Sequence, residues 1–170
     1  LVLSDGEATL IANDLPVGPG DHPKVVEGWI PYRMVFDIVW SGKRHVMMGP
    51  TTQVDQYGNQ NIACIGDHAK PKVMLIGVRG APGNTVNNVT SYWVTTHTPR
   101  SFVARVDMVC GVGYDRAAGA PSSASRYHEV RRVVSNLGVF DFETDDHRMR
   151  LRSVHPGVTV DEIVSATAFE

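Results

Sequence analysis

The sequence predicts an α/β domain built on a mixed, largely parallel sheet, with loops that form a site at one sheet edge. Three observations predict it. Short runs of β-branched and apolar residues recur along the chain, as at Arg44–Met48, Lys72–Ile76 and Met149–Val154, with turn residues between them. A few segments carry helical spacing or a helix start. Several strand ends run into glycine or polar clusters, where α/β sheets commonly bind ligands.

Leu1–Leu3 opens the chain as a strand that ends at Ser4-Asp5-Gly6-Glu7. With no Met and no turn before it, an N-terminal portion is expected ahead of this single domain of residues 1–170. Residues 13–31 hold Pro16, Gly18, Pro19, Gly20 and Pro23 and are expected to loop. From Tyr32 to Trp40, Met34, Val35, Ile38 and Val39 fall at helical spacing, and Ser41-Gly42 ends the helix. Arg44–Met48 is a strand. Val54 to Asn61 forms a turn into a strand at Ile62–Ile65, with Asn59 and Asn61 set to hold the turn through hydrogen bonds. A strand at Lys72–Ile76 follows, then a glycine loop and a short helix near Asn84–Ser91. Ser101–Cys110 alternates as a strand does, and Gly119–Ser125 reads as an exposed loop. Tyr127–Phe142 holds one or two strands bent near Asn136-Leu137-Gly138, and Met149–Val154 is another. Thr159 with Glu162 three residues on forms a capping box for the C-terminal helix.

Composition excludes several classes. Charged residues make up 20% and hydrophobic ones 42% of 170 residues, with net charge −2, as in ordinary globular proteins. The longest basic run is Arg131-Arg132, so no nucleic-acid footprint is present. No apolar stretch nears the roughly 20 residues of a membrane span. Cys64 and Cys110 sit in apolar runs as reduced core thiols, which points to the cytoplasm. No His, Cys or carboxylate cluster has metal-ligand spacing.

Lys72–Asn88 (KVMLIGVRGAPGNTVNN) is the densest candidate for chemistry. An apolar strand feeds a loop with Gly77, Gly80 and Gly83, with Arg79 inside it. Glycines let backbone N–H groups approach a ligand, and the arginine adds fixed charge. The spacing is G-x-x-G-x-x-G, neither a dinucleotide fingerprint nor a Walker A loop. A purely structural strand-to-helix turn fits the same spacing. Of the histidines, His97 is the strongest functional candidate, and His155, within His-Pro-Gly, reads as structural. Ser4 and Ser135 lack a nucleophile elbow.

Four segments, QVDQYGNQNI (Gln53–Ile62), GVRGAPGN (Gly77–Asn84), RVVSNLGVFDF (Arg132–Phe142) and MRLRSVHPGVTVDEIVSATAF (Met149–Phe169), together resemble the β-type subunits of family I CoA-transferases. This group includes glutaconate CoA-transferase. The stretches GWIPYRMVFDIVWSGKRHVMMG, GNTVNNVTSYWV and GVGYDR are similar to a branch that cleaves steroid rings of cholesterol as CoA esters. The resemblance implies a CoA-transferase-type fold, an α-type partner subunit in an αβ or α2β2 assembly, and acyl-CoA substrates, with CoA entering as part of the substrate and no other cofactor. It implies a ring-opening hydrolase subunit, with CoA transfer between carboxylic acids as the alternative. The family's attacking glutamate corresponds to Ser4-Asp5-Gly6-Glu7, where Asp5 takes or adjoins its place and Glu7 falls two residues later. A shortened carboxylate suits a hydrolase better than covalent CoA transfer. The family's oxyanion-binding loop corresponds to Gly77, Gly80, Ala81, Gly83 and Asn84. Arg79 is the addition, suited to a substrate carboxylate or to an enolate.

Overall fold

The computed structural model describes residues 2–3, 7–13, 19–31, 34, 45–75, 77–78 and 80–170. The helix expected over Tyr32–Trp40 falls largely outside them. Among the described residues the framework is a five-stranded mixed sheet. Strand β9 (Val89–Trp93) runs parallel to both its neighbours, β4 (His45–Met48) at the edge and β10 (Glu129–Val134) at the centre. Beyond β10 the sheet turns antiparallel through β11 (Gly138–Asp141) and β12 (Arg150–Val154). The mixed α/β class is therefore observed. The parallel pairings are those of β4, β9 and β10; the other described ladders are antiparallel.

A second, three-stranded antiparallel sheet is formed by β1 (Val2–Leu3), β2 (Glu7–Ile11) and β3 (Val26–Pro31). The last six residues of the loop expected over 13–31 are thus strand. After Pro23 the run Val26–Pro31 pairs with β2, its proline at the strand's last position. Two small hairpins, β5 (Gln53–Val54) with β6 (Gln60–Asn61) and β7 (Cys64–Ile65) with β8 (Val73–Met74), complete the strands.

The helices are short. The first, α1 (Ala81–Asn87), starts three residues earlier than the sequence suggests and ends where β9 begins. The expected helix over Asn84–Ser91 therefore holds only to Asn87, and its second half gives way to strand β9. Thr90, Ser91 and Tyr92 are fully buried there, and their polar character hid the strand. Residues 114–118 form α2 (Tyr114–Ala118), and the exposed loop expected at Gly119–Ser125 closes into a helical turn, α3 (Ser122–Ser125).

Ser101–Cys110 is not a strand. Only Phe102 makes a bridge, to Val54, and the segment is otherwise bends. Its backbone is satisfied locally instead: Val54 N–H donates to Ser101 and Val103 N–H to Val54, while Cys110 and Gly111 both donate to the Gln60 carbonyl. The alternation arose because Phe102, Val106 and Cys110 are buried from an irregular path.

The core gathers Val54, Tyr92, Phe102, Val130, Val133, Phe140 and Ile163 under the sheet. Cys64 and Cys110 are buried free thiols, as expected, and burial pushes the Cys110 thiol up. No described helix is long and apolar enough to cross a membrane.

The last helix, α4 (Val160–Ser165), carries the expected capping box. Thr159 Oγ1 accepts from Glu162 N–H at 3.3 Å, and Glu162 Oε2 accepts from Thr159 N–H at 2.7 Å. This helix puts Ile163 into the core. Thr159→Ala is expected to cost about 1 kcal/mol, visible as a lowered urea midpoint with an unchanged slope.

Candidate active site

The glycine loop passes from β8 into α1. Gly77 lies against Ile62: its N–H donates to the Ile62 carbonyl at 2.9 Å, and a Cβ there would fall 2.2 Å from Ile62 Cγ1. Only glycine fits, and its amide is used inside the fold. Gly80 caps α1 with no side-chain cap. By helix geometry, the first-turn N–H groups of Gly80, Ala81 and Gly83 lack partners within the helix. Pro82 has none to give. Asn84 N–H donates to Gly80 at 3.0 Å, so that amide serves the helix. The loop thus offers three amides from the residues that the family resemblance indicates.

Thr85 fixes this helix start. Fully buried, its hydroxyl donates to Ala81 at 3.0 Å and accepts Val112 N–H at 2.9 Å. Glu7 opens β2 and pairs with Pro31. Asp5, Arg79 and Ser4 lie outside the described residues.

A second feature lies at the edge where the parallel strands end. Past β4 the chain continues through Gly49 and Pro50 to Thr51, and past β9 it continues to Thr95 and Thr96. Thr51 N–H donates to the Trp93 carbonyl at 2.8 Å and ties the two exits together. Between them opens a cleft of about 560 Å³, rimmed by Thr52, Thr95, Thr96, Thr98 and Arg100, with Ile65 and Val103 on its apolar wall. Sequence reasoning missed it, although the run Thr95-Thr96-His97-Thr98 directly after an apolar segment was a usable signal.

His97 does not face a substrate. It is 4% exposed and stacks on Phe102 at 3.5 Å between ring centroids. Nδ1 meets Ser135 Oγ and Nε2 meets Thr167 Oγ1, each at 3.0 Å. Burial lowers its pKa to about 4. His155 is structural as expected, with Nε2 on the Ser135 carbonyl at 2.9 Å. His128 meets the Val112 carbonyl at 2.8 Å, and burial lowers its pKa too. Ser135 Oγ accepts the Leu137 and Gly138 amides, which makes it a turn residue and no nucleophile. Among the described residues no group of three or more His, Cys, Asp or Glu could hold a metal.

With this geometry in hand, the chain's relationships are direct. Residues 35–166 match the Coenzyme A transferase family, and the chain belongs to it. Over all 170 residues it is 51% identical to the cholesterol ring-cleaving hydrolase IpdB subunit of Rhodococcus jostii (strain RHA1), spanning 65% of that relative's length. The crystal structure of Rhodococcus jostii RHA1 IpdAB superimposes with a TM-score of 0.85 at 52% identity, over 98% of this chain and 65% of that one. Glutaconate coenzyme A-transferase from Acidaminococcus fermentans shares the fold, with a TM-score of 0.70 at 24% identity over 83% of this chain and 56% of that chain.

His97 titrates at about 4 in the fold against 6.5 for the free side chain, so the unfolded chain binds more protons between those values. Stability should therefore fall as pH drops from about 6.5 toward 4. His97→Gln should flatten that slope in urea titrations at successive pH values. Gly77→Ala should destabilise by about 1–3 kcal/mol through overpacking against Ile62, read as a lowered melting temperature.

Proposed function

We propose that this chain is the β-type subunit of a heteromeric, cytoplasmic acyl-CoA hydrolase that opens a cyclic β-keto CoA thioester in steroid C/D-ring degradation. An α-type subunit completes the αβ or α2β2 assembly. The observation that carries the reading is the 51% identity to a cholesterol ring-cleaving hydrolase subunit along the whole of this chain.

The chemistry divides into two steps. Water adds to the ring ketone and gives up a proton to a base, forming a tetrahedral alkoxide. The alkoxide collapses, the bond to the α-carbon of the thioester breaks, and its electron pair becomes the thioester enolate, which takes a proton at carbon. The product is one open-chain molecule that carries both the new carboxylic acid and the CoA thioester. Negative charge grows on the thioester oxygen in the second step. The Gly80, Ala81 and Gly83 amides and the Arg79 guanidinium are the groups assigned to it, since preorganised donors act most strongly where charge develops. The base belongs mainly to the partner, with Asp5 or Glu7 assisting.

The test uses the assembled protein on a cyclic β-keto CoA ester. Arg79→Ala should lower kcat about 100-fold or more, and unchanged turnover would remove the arginine from the mechanism. A CoA thioester on Asp5 or Glu7, trapped with hydroxylamine and seen by mass spectrometry, would instead mark a CoA-transferase.

A further inference from the structure

We propose that the cleft at the exits of β4 and β9 is an oxyanion subsite, in which Arg100 and neighbouring threonine hydroxyls hold a carboxylate or phosphate of the ligand. As applied to an acyl-CoA, this rests on the reading above.

Charge points to an anion. No residue lining the cleft carries a carboxylate, and Arg100 is the one charged residue among them. Its guanidinium has no ion-pair partner among the described residues, whereas Arg131, Arg132, Arg150 and Arg152 are all paired. An unpaired arginine in a concave, hydroxyl-rich site favours an oxyanion, which its planar fork matches in two parallel hydrogen bonds. The hydroxyls of Thr52, Thr95 and Thr96 make no hydrogen bond within the described residues and remain available to a ligand.

Position and size agree. The cleft opens beyond the carboxyl ends of two adjacent parallel strands, where open α/β sheets bind ligands. About 560 Å³ is in the range of small-molecule sites.

The loop carrying Arg100 is also preorganised. Ser101 Oγ donates to the Thr96 carbonyl at 2.6 Å and accepts Thr98 N–H at 2.9 Å. Asn136 Oδ1 accepts His97 N–H at 2.7 Å, and the buried His97 ring anchors the middle of the segment. Arg100 itself is exposed, and its side chain makes no hydrogen bond or ion pair among the described residues, so its removal leaves this scaffold intact.

Calorimetric titration of the full-length protein, purified with its co-expressed partner, tests the subsite without reference to turnover. The probes are coenzyme A, pantetheine, which lacks the phosphates, and glutarate, which carries only carboxylates. Arg100→Ala should weaken coenzyme A or glutarate about tenfold or more, with a shallower salt dependence, and Arg100→Lys should recover part of the loss. A loss for coenzyme A but not pantetheine or glutarate identifies a phosphate; a loss for glutarate identifies a carboxylate. Equal affinity of wild type and Arg100→Ala for both anions, or no binding of either by wild type, overturns the subsite. Arg100-dependent binding without ring opening leaves the subsite standing and removes the hydrolase reading alone.

Discussion

The fold depends on a buried amide–carboxylate knot at the turn between β5 and β6. Asn59 is 2% exposed, and its side-chain amide donates to Asp55 Oδ2 at 3.0 Å and to Asp115 Oδ1 at 2.8 Å. Its carbonyl oxygen accepts Gly113 N–H at 2.9 Å. Asp55 in turn accepts the amides of Tyr57 and Asn59. Burial is the largest influence on the Asp55 carboxyl and raises its pKa, opposed by these hydrogen bonds and assisted by the charge of Asp115. A buried carboxylate is tolerated because its lone pairs are filled. Removing the Asn59 side chain would take a hydrogen-bond donor from both carboxylates at once. The knot joins the turn to the start of α2, where Gly113 approaches so closely that a Cβ would lie 2.6 Å from Asn59 N. Through Val112, the same segment grips Thr85 and therefore the start of α1.

A second constraint ties the far edge together. Ser135 lies at the turn from β10 to β11 and Thr167 follows α4, yet the imidazole of His97, which follows β9, bonds both and joins the three segments. Asp141 plays a matching part on β11. Its side chain is inaccessible; burial pushes its pKa up, but Arg150, the Glu143 amide and Arg152 hold it below the usual carboxylate range. Both clusters use charge or hydrogen bonding to fix distant segments, and neither faces a ligand. Most of the polar residues that look catalytic in the sequence are structural for this reason.

What could be read from the sequence follows from how local each signal is. The capping box at Thr159 and Glu162 is a four-residue pattern, and it was legible. So was the β10–β11 bend, because Ser135, Asn136 and Gly138 carry their own turn chemistry. Strand β9 was not legible: its middle residues are threonine, serine and tyrosine, and only two parallel neighbours bury them. Segment 101–110 misled in the opposite way, since burial from an irregular path imitates alternation. In the site, the glycines of the Gly77–Asn84 loop stood out by composition, but separating Gly77, packed on Ile62, from Gly80 and Ala81, at a helix start where amides have no partner within the helix, required coordinates. The cleft escaped because its walls come from 50–53, 65 and 95–103 and meet only in space.

These constraints give the two candidate binding features different characters. The α1 start is held by Thr85, and the loop that leads into it is packed at Gly77 on Ile62, so its amides are fixed before any ligand arrives, as transition-state stabilisation requires. The cleft has a rigid floor at Thr51, Gln53 and Ser101, but its charge sits on a long exposed side chain at the rim. Such a group captures and orients an anion without needing sub-ångström placement. A large thioester needs both kinds of contact: remote binding energy to hold its charged parts, and a stiff array where charge develops. Because the amides sit at the start of the helix preceding β9 and the arginine sits beyond the end of β9, one strand, its middle buried between two parallel neighbours, carries both.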